Sequence, residues 1–250
     1  MRAILTYHSI DDSGSPISVS PESFRAHVRW LVSGQVRVLP LKELAALGDA
    51  GDAVALTFDD GFGNFAEIAA PVLAANGLPS TVFVVSEHVG GRNDWGGEVK
   101  TAAVPRLPLM GWETLGALAA GGVGIGAHTR HHRDLTTARG AALEDEVAGC
   151  AERIAAELGA RPTTFAYPYG AVDATASSAA RDVFDLACTT ELRALRPGDD
   201  RALLPRLDMY YFRGAGQLES WGTRAFRRRV WLRAQGRRVR RLVRRMGQAA

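Results

Sequence analysis

The sequence predicts an α/β protein built on a parallel sheet, closed as a barrel or open and doubly wound. Three observations predict it. Apolar runs of strand length recur from Ala3 to Met209, amphipathic stretches of helical period separate them, and most runs are apolar at consecutive positions. Strands buried on both faces between layers read in that way, whereas half-exposed strands alternate. With 250 residues, 46% hydrophobic and 23% charged, the chain holds enough apolar side chains for a sizeable core, and α/β barrels of this length are routinely single domains. That composition excludes a disordered chain, and no run is long enough to span a bilayer.

Taken in order, the expected strands are 3–7, 36–39, 54–58, 81–85, 123–127, 163–167, 186–190 and 203–209. Between them, Ser20-Pro21-Glu22-Ser23 reads as a helix start, with Ser20 as the cap and Pro21 in the first turn, feeding Phe24, Val28 and Leu31 at helical spacing. A second helix is expected over 66–76, closed by Gly77. The stripe Leu143, Val147, Cys150, Ile154 and Leu158 predicts another that stops at Gly159. Cys150 and Cys188 have neither the number nor the spacing of a disulfide framework or metal site, and are expected in the core.

In either architecture, ligands bind where the C-terminal ends of the strands meet the βα loops. Four of the runs end there in polar groups: Tyr7-His8, Asp59-Asp60, the stretch from His128 to His132, and Tyr167-Pro168-Tyr169-Gly170. A packed core does not call for this, but a shared site does. Two adjacent carboxylates closing a buried strand are costly unless a cation holds at least one of them. His128 and His132, read as one helical turn apart, offer two nitrogens to the metal that Asp60 would bind. Three protein ligands leave positions open for water or substrate, as in catalytic sites. Zinc suits these donors, and nickel, cobalt, manganese or iron fit comparably. Read alone, Asp59-Asp60-Gly61 is equally a turn; the histidine pair is what favours a metal. His131 is expected to point away from it, His27 and His88 to be structural or exposed, and Trp95 and Trp112 to be core or lid residues rather than sugar platforms.

Thr57-Phe58-Asp59-Asp60-Gly61, His128-Thr129-x-x-His132 and Phe165-Ala166-Tyr167-Pro168-Tyr169-Gly170 resemble, in order, the first three motifs of the polysaccharide deacetylases, the NodB-like carbohydrate esterases of family 4. The resemblance spans roughly residues 1–209, and three motifs in order at strand ends are far more specific than any one. It implies a distorted (β/α)7, TIM-like barrel, the NodB homology domain, and a metal-dependent hydrolase that removes acetyl groups from N-acetylated amino sugars in a polysaccharide or lipid-linked glycan. On this resemblance Asp60, His128 and His132 hold the metal, by preference Zn2+. Asp59 is the general base, and the backbone N–H of Tyr169, the residue after the motif proline, steadies the oxyanion.

Two departures from the family pattern matter. Where many members carry an arginine in the third motif this chain has Ala166, so the cation that steadies the base must come from elsewhere, and Arg206 in Leu204-Pro205-Arg206-Leu207-Asp208 is the candidate. The family's late Leu-x-His motif, source of the acid for the leaving amine, is also missing, because no histidine follows His132. A subset of the family that includes biofilm poly-N-acetylglucosamine deacetylases is similar to a circular permutation with a Tyr-His element at its start. On that likeness His8, in Leu5-Thr6-Tyr7-His8-Ser9, supplies the acid. Hydrolysis of non-sugar linear amides, or a catalytically silent carbohydrate-binding barrel, are the alternatives; Asp59 beside a complete ligand set argues against the silent barrel.

The net charge of +3 conceals a division. After residue 223 there are eleven arginines and no acidic residue, so the first 223 residues carry 19 basic against 27 acidic groups, a net −8. The expected organisation is a catalytic barrel over 1–223 and a basic amphipathic tail over 224–250. Beyond Gly236, Val239, Leu242, Val243 and Met246 fall on one helical face and arginines cover the other, a pattern suited to peripheral contact with an anionic membrane. Nucleic acid fits less well, since no aromatic interleaving extends beyond Trp231; a solvated, partly disordered tail is the plain alternative. Met1-Arg2 leads into an apolar run too short for a secretory h-region, so the expected address is the cytoplasm, at the inner face of the membrane where the tail docks.

Overall fold

The computed structural model describes residues 1–48, 51–95 and 104–248, and of residues 238–248 the backbone alone. Every expected run contributes a strand to one parallel sheet: β1 (Arg2–Tyr7), β2 (Arg37–Val38), β3 (Ala53–Phe58), β4 (Ser80–Val84), β5 (Gly124–Ala127), β6 (Thr164–Ala166), β7 (Leu186–Cys188) and β8 (Arg206–Asp208). Seven of them follow the order β8-β1-β3-β4-β5-β6-β7, and β2 pairs with the start of β3 outside this path. The run expected over 203–209 is shorter as a strand, since Pro205 has no N–H to give a ladder. Leu204 instead bridges in parallel to Cys188, its N–H donating to the Ala187 carbonyl at 2.9 Å. That contact nearly closes the sheet, and the barrel is the architecture observed.

Helices cover the outside: α1 (Pro21–Leu31), α2 (Leu41–Ala46), α3 (65–75), α4 (Trp112–Ala120), α5 (141–158), α6 (Ala174–Val183) and α7 (Arg224–Gln248). Ser20 caps α1 by accepting from the Ser23 N–H at 3.1 Å, with Pro21 in the first turn. The stripe along α5 ends at Gly159 in a left-handed cap. Period-two alternation explains why the strands read as continuous apolar runs. Ile4, Ala53, Ala55, Phe83, Ala166 and Leu186 belong to one buried cluster, inside the barrel, while Leu5, Val54, Leu56, Val82, Phe165 and Ala187 join the larger cluster beneath the helices. Cys150 and Cys188 are free, and burial pushes both thiols up to about 12.

The boundary expected at 223/224 marks the start of α7, but the helix does not begin as a separate tail. Phe226 and Val230 are buried, Phe226 stacking on Phe212 at 5.4 Å, and Arg237 reaches Asp208 at 3.6 Å. Its first turns therefore belong to the packed body. The face formed by Val239, Leu242, Val243 and Met246 lies outside the described side chains. No helix among the described residues is long and apolar enough to cross a membrane.

Candidate active site

Alternation along the strands also decides which end residues enter the barrel. The interior series of β1 runs Ile4, Thr6, His8; that of β3 runs Ala53, Ala55, Thr57, Asp59; and Leu204 precedes Arg206 by the same two-residue step. Three polar side chains therefore meet above the Thr6 and Thr57 hydroxyls, which lie 3.1 Å apart. Arg206, only 2% exposed, donates Nη1 to Asp59 Oδ1 at 2.6 Å and Nη2 to Oδ2 at 2.7 Å, and its Nε donates to the Thr189 carbonyl at 2.9 Å. Such a fork fixes both the position and the rotation of a carboxylate. Burial by itself raises the Asp59 carboxyl, but the Arg206 guanidinium, and after it His8, outweigh burial and hold it below the usual carboxylate range. His8 Nε2 lies 3.7 Å from Asp59 Oδ2, and its side chain is partly open to solvent.

Asp60 turns the other way because its backbone is left-handed, with φ +74°. Its Oδ1 is buried, has no hydrogen-bond partner, and faces His128 Nε2 and His132 Nε2 at 3.4 Å each. Burial raises the Asp60 carboxyl, and the two imidazoles more than reverse this, holding it far below its ordinary value. The other nitrogen of each ring is engaged elsewhere: His128 Nδ1 with the Ala166 carbonyl at 2.7 Å, and His132 Nδ1 with the Tyr169 hydroxyl at 3.0 Å. A carbonyl only accepts, so His128 Nδ1 carries a proton, and in the neutral ring this leaves the Nε2 lone pair pointing at Asp60. A carboxylate oxygen with no donor, met by an imidazole lone pair, suits a cation between them. The three donor atoms lie within 4.8 Å of one another, and one oxygen with two imidazole nitrogens is a set that divalent transition metals take.

The histidines are not a helical turn apart as expected, because the segment from His128 to Arg133 is not helical. Thr129 and His132 are left-handed at φ +65° and +56°. Together with Asp60 and Tyr169 (φ +59°) they are all the non-glycine residues with positive φ among the described residues. Each such conformation costs on the order of 1–3 kcal/mol and persists only where the surroundings impose it. Glu146 is one such constraint. It is 3% exposed and accepts from the backbone N–H groups of Arg130 and His131, each at 3.0 Å, while its other oxygen meets His131 Nδ1 at 2.9 Å. His131 thus points away from the metal donors and ties their loop to α5. Glu146 lies in a π-helical turn, Asp145–Gly149, within that helix.

Tyr169 follows Pro168 at the end of β6, in a turn that requires Gly170 at φ +65°, since a Cβ there would come within 2.1 Å of Thr190 Oγ1. Its hydroxyl orients His132, a role the reading of its backbone alone missed. Burial pushes that hydroxyl up to about 12, so it stays protonated. Trp95, expected as core or lid, stands against the His132 ring at 4.4 Å between centroids. His27 is structural: its Nδ1 meets the Tyr7 hydroxyl and its Nε2 the Phe212 carbonyl. Glu146 and the Ala166 carbonyl were not legible as site groups.

Comparison with known proteins agrees with this geometry. The family description "Polysaccharide deacetylase" matches residues 48–183. YxkH of Bacillus subtilis (strain 168), named for the polysaccharide deacetylases, is 26% identical over 194 residues, covering 75% of this chain and 64% of its own length. A poly-beta-1,6-N-acetyl-D-glucosamine N-deacetylase of Staphylococcus aureus is 34% identical over 80 residues, 30% of this chain and 28% of that protein. The chain thus spans less than two thirds of these curated relatives. Among solved structures, IcaB from Ammonifex degensii is 25% identical with a TM-score of 0.68, covering 82% of this chain and 90% of that one. Streptococcus pyogenes PplD, solved with acetate, shares the fold with a TM-score of 0.69 at 22% identity, covering 82% of this chain and 91% of that one. The matched stretch takes in more than half of the sequence and carries the Asp-Asp, His-Thr-x-x-His and Tyr-Pro-Tyr-Gly elements assembled above: the chain belongs to the polysaccharide deacetylase family.

Proposed function

We propose that this chain is a metal-dependent hydrolase that removes acetyl groups from N-acetylated amino sugars. The observation that carries the reading is the buried, donorless Asp60 Oδ1 facing two imidazole nitrogens, with the Arg206-clamped Asp59 as its neighbour in the chain. A divalent ion held by Asp60, His128 and His132, by preference Zn2+, would supply Lewis-acid polarisation and a water of lowered pKa. Asp59 takes the proton of the attacking water, and Arg206 keeps that carboxylate ionised and aimed. The Tyr169 backbone N–H is assigned to the developing oxyanion, at a turn held left-handed by its fit to Thr190. His8 stands beside Asp59, where it can hand a proton to the departing nitrogen.

Polymers of N-acetylglucosamine are the favoured substrate class, supported by the name of the Staphylococcus relative, with lipid-linked glycans second. Trp95 and the 40%-exposed Tyr169, both against His132, offer ring faces for a sugar. Acetate release from N-acetylated oligosaccharides, monosaccharides, lipid-linked sugars and simple linear amides, with metal content measured, tests the assignment. His8→Gln is expected to bind metal normally and to lose roughly 100-fold in kcat. Wild-type turnover in that variant would remove His8 as the acid, and turnover of linear amides alone would overturn the sugar reading.

The arginine-rich end of α7 is proposed to contact an anionic membrane, bringing the barrel to glycans assembled there. Replacing Arg240, Arg241 and Arg244 with Glu in the full chain is expected to lower flotation with anionic liposomes. Recovery equal to wild type would discard this contact.

A further inference from the structure

Outside the cluster of Asp60, His128 and His132, α7 and the connection from β7 to β8 enclose a groove of about 1030 Å3, with Met1, Arg2 and Gly51 completing its lining; one end lies at Thr190 and Glu191, whose hydroxyl and carbonyl bond the Tyr169 carbonyl and the Arg206 backbone N–H. That volume is in the range of pockets that hold a ligand rather than scattered water. Its lining has two characters. Leu192, Leu195, Val230, Trp231 and Ala234 supply an apolar strip, and six arginines surround it. Glu191 is the one carboxylate among the lining residues, and Arg193 holds it at 3.0 Å. Arg237 Nη1 faces Asp208 Oδ2 at 3.6 Å and Arg196 acts on the nearby Asp199, while no carboxylate forms an ion pair with Arg228 among the described residues.

Fixed positive charge beside an apolar strip discriminates among ligands. An N-acetylated glycan can accept hydrogen bonds from the arginines but, being uncharged, leaves their charge uncompensated. A nucleic acid would leave Leu192, Leu195 and Val230 unused. An amphiphile with an anionic head satisfies both characters at once. The surface around the groove agrees: Trp231 and its neighbour Leu232 are 58% and 52% exposed, two of only four exposed large hydrophobic residues among those described. An exposed Trp-Leu pair flanked by arginines is how a helix seats itself at a lipid headgroup layer. The helix also continues without a break into a segment ending at Gln248 whose sequence is rich in arginine and free of acidic residues.

We propose that this groove binds one anionic membrane phospholipid, its acyl chain lying along Leu192, Leu195, Val230 and Trp231 and its phosphate held by Arg196 and Arg228. The site is separate from the metal donors and gives α7 a specific lipid contact in addition to diffuse attraction by its arginines.

The test uses the full chain and phosphatidylcholine vesicles with or without phosphatidylglycerol carrying brominated acyl chains, which quench a tryptophan in contact with them. Quenching is expected only with the anionic lipid, and Trp231→Phe is expected to lose most of it while still binding. Arg196→Glu combined with Arg228→Glu is expected to bind these vesicles roughly thirty-fold more weakly or worse, from about 1 kcal/mol per basic side chain near an anionic surface. Unchanged quenching in Trp231→Phe, or wild-type binding by the charge-reversed variant, overturns the proposal. Acetate release from a soluble N-acetylated oligosaccharide is expected to be the same in all three forms, so failure of the lipid site and failure of the deacetylase reading are told apart.

Discussion

Asp59→Asn is expected to bind its metal with unchanged stoichiometry and to lose about 10²- to 10⁴-fold in kcat, the range removed with a general base. The separation of these two effects follows from the chain geometry. Asp59 continues the interior alternation of β3 and is held by Arg206, whereas the left-handed backbone at Asp60 turns the next carboxylate toward His128 and His132. Asparagine is nearly isosteric and accepts a hydrogen bond through only one of its two terminal atoms, so the Arg206 fork is half lost and a buried guanidinium is left without its counter-charge. Activity is therefore to be measured alongside circular dichroism, at a temperature where the variant is folded. Full turnover with metal bound would show that Asp59 is not the base. Loss of metal in parallel with activity would make Asp59 a ligand and merge the two roles.

The strand runs were legible because strands buried on both faces leave a continuous apolar record, and the cluster of Asp60, His128 and His132 because polar residues at strand ends have little other reason to be there. The way the donors meet was not. A four-residue step between histidines reads as a helical turn, yet His128 and His132 are brought together by left-handed residues and by Glu146 reaching in from α5. Sequence spacing carries no sign of backbone handedness at Thr129 or His132, and Glu146 has the appearance of an ordinary helix glutamate. Trp95 was expected as a core or lid residue, but its partner His132 was not foreseen, because the contact is tertiary and no periodicity records it. At the C-terminus the charge division drew attention to the arginines and away from Phe226 and Val230, whose burial makes the start of α7 part of the body.

Arg206→Met is expected to cost about 3–5 kcal/mol of stability, since it removes the buried cation that forks onto Asp59 and leaves that carboxylate only the partly exposed His8 at 3.7 Å. Arg206 was inferred from the alanine at position 166, and the structure gives a physical reading of that exchange. Ala166 and Phe83 face the barrel interior, the guanidinium lies 5.7 Å over the Phe83 ring, and the fork reaches Asp59 from β8. Asp59→Asn alone leaves the complementary defect, an unpaired buried cation. The two changes together should cost much less than their sum, because an amide beside a thioether leaves no uncompensated charge, and a coupling of roughly 3 kcal/mol is expected from urea midpoints of the wild type, both single variants and the double. Arg206→Lys separates charge from geometry. A lysine there supplies a cation but a single point of donation, so stability should recover in part while turnover stays low, with Asp59 ionised but no longer held in one rotation. Additive single costs would mean that the pair contributes nothing as a pair. Wild-type turnover in Arg206→Lys would mean that charge alone, without the two-pronged clamp, suffices to prepare the base.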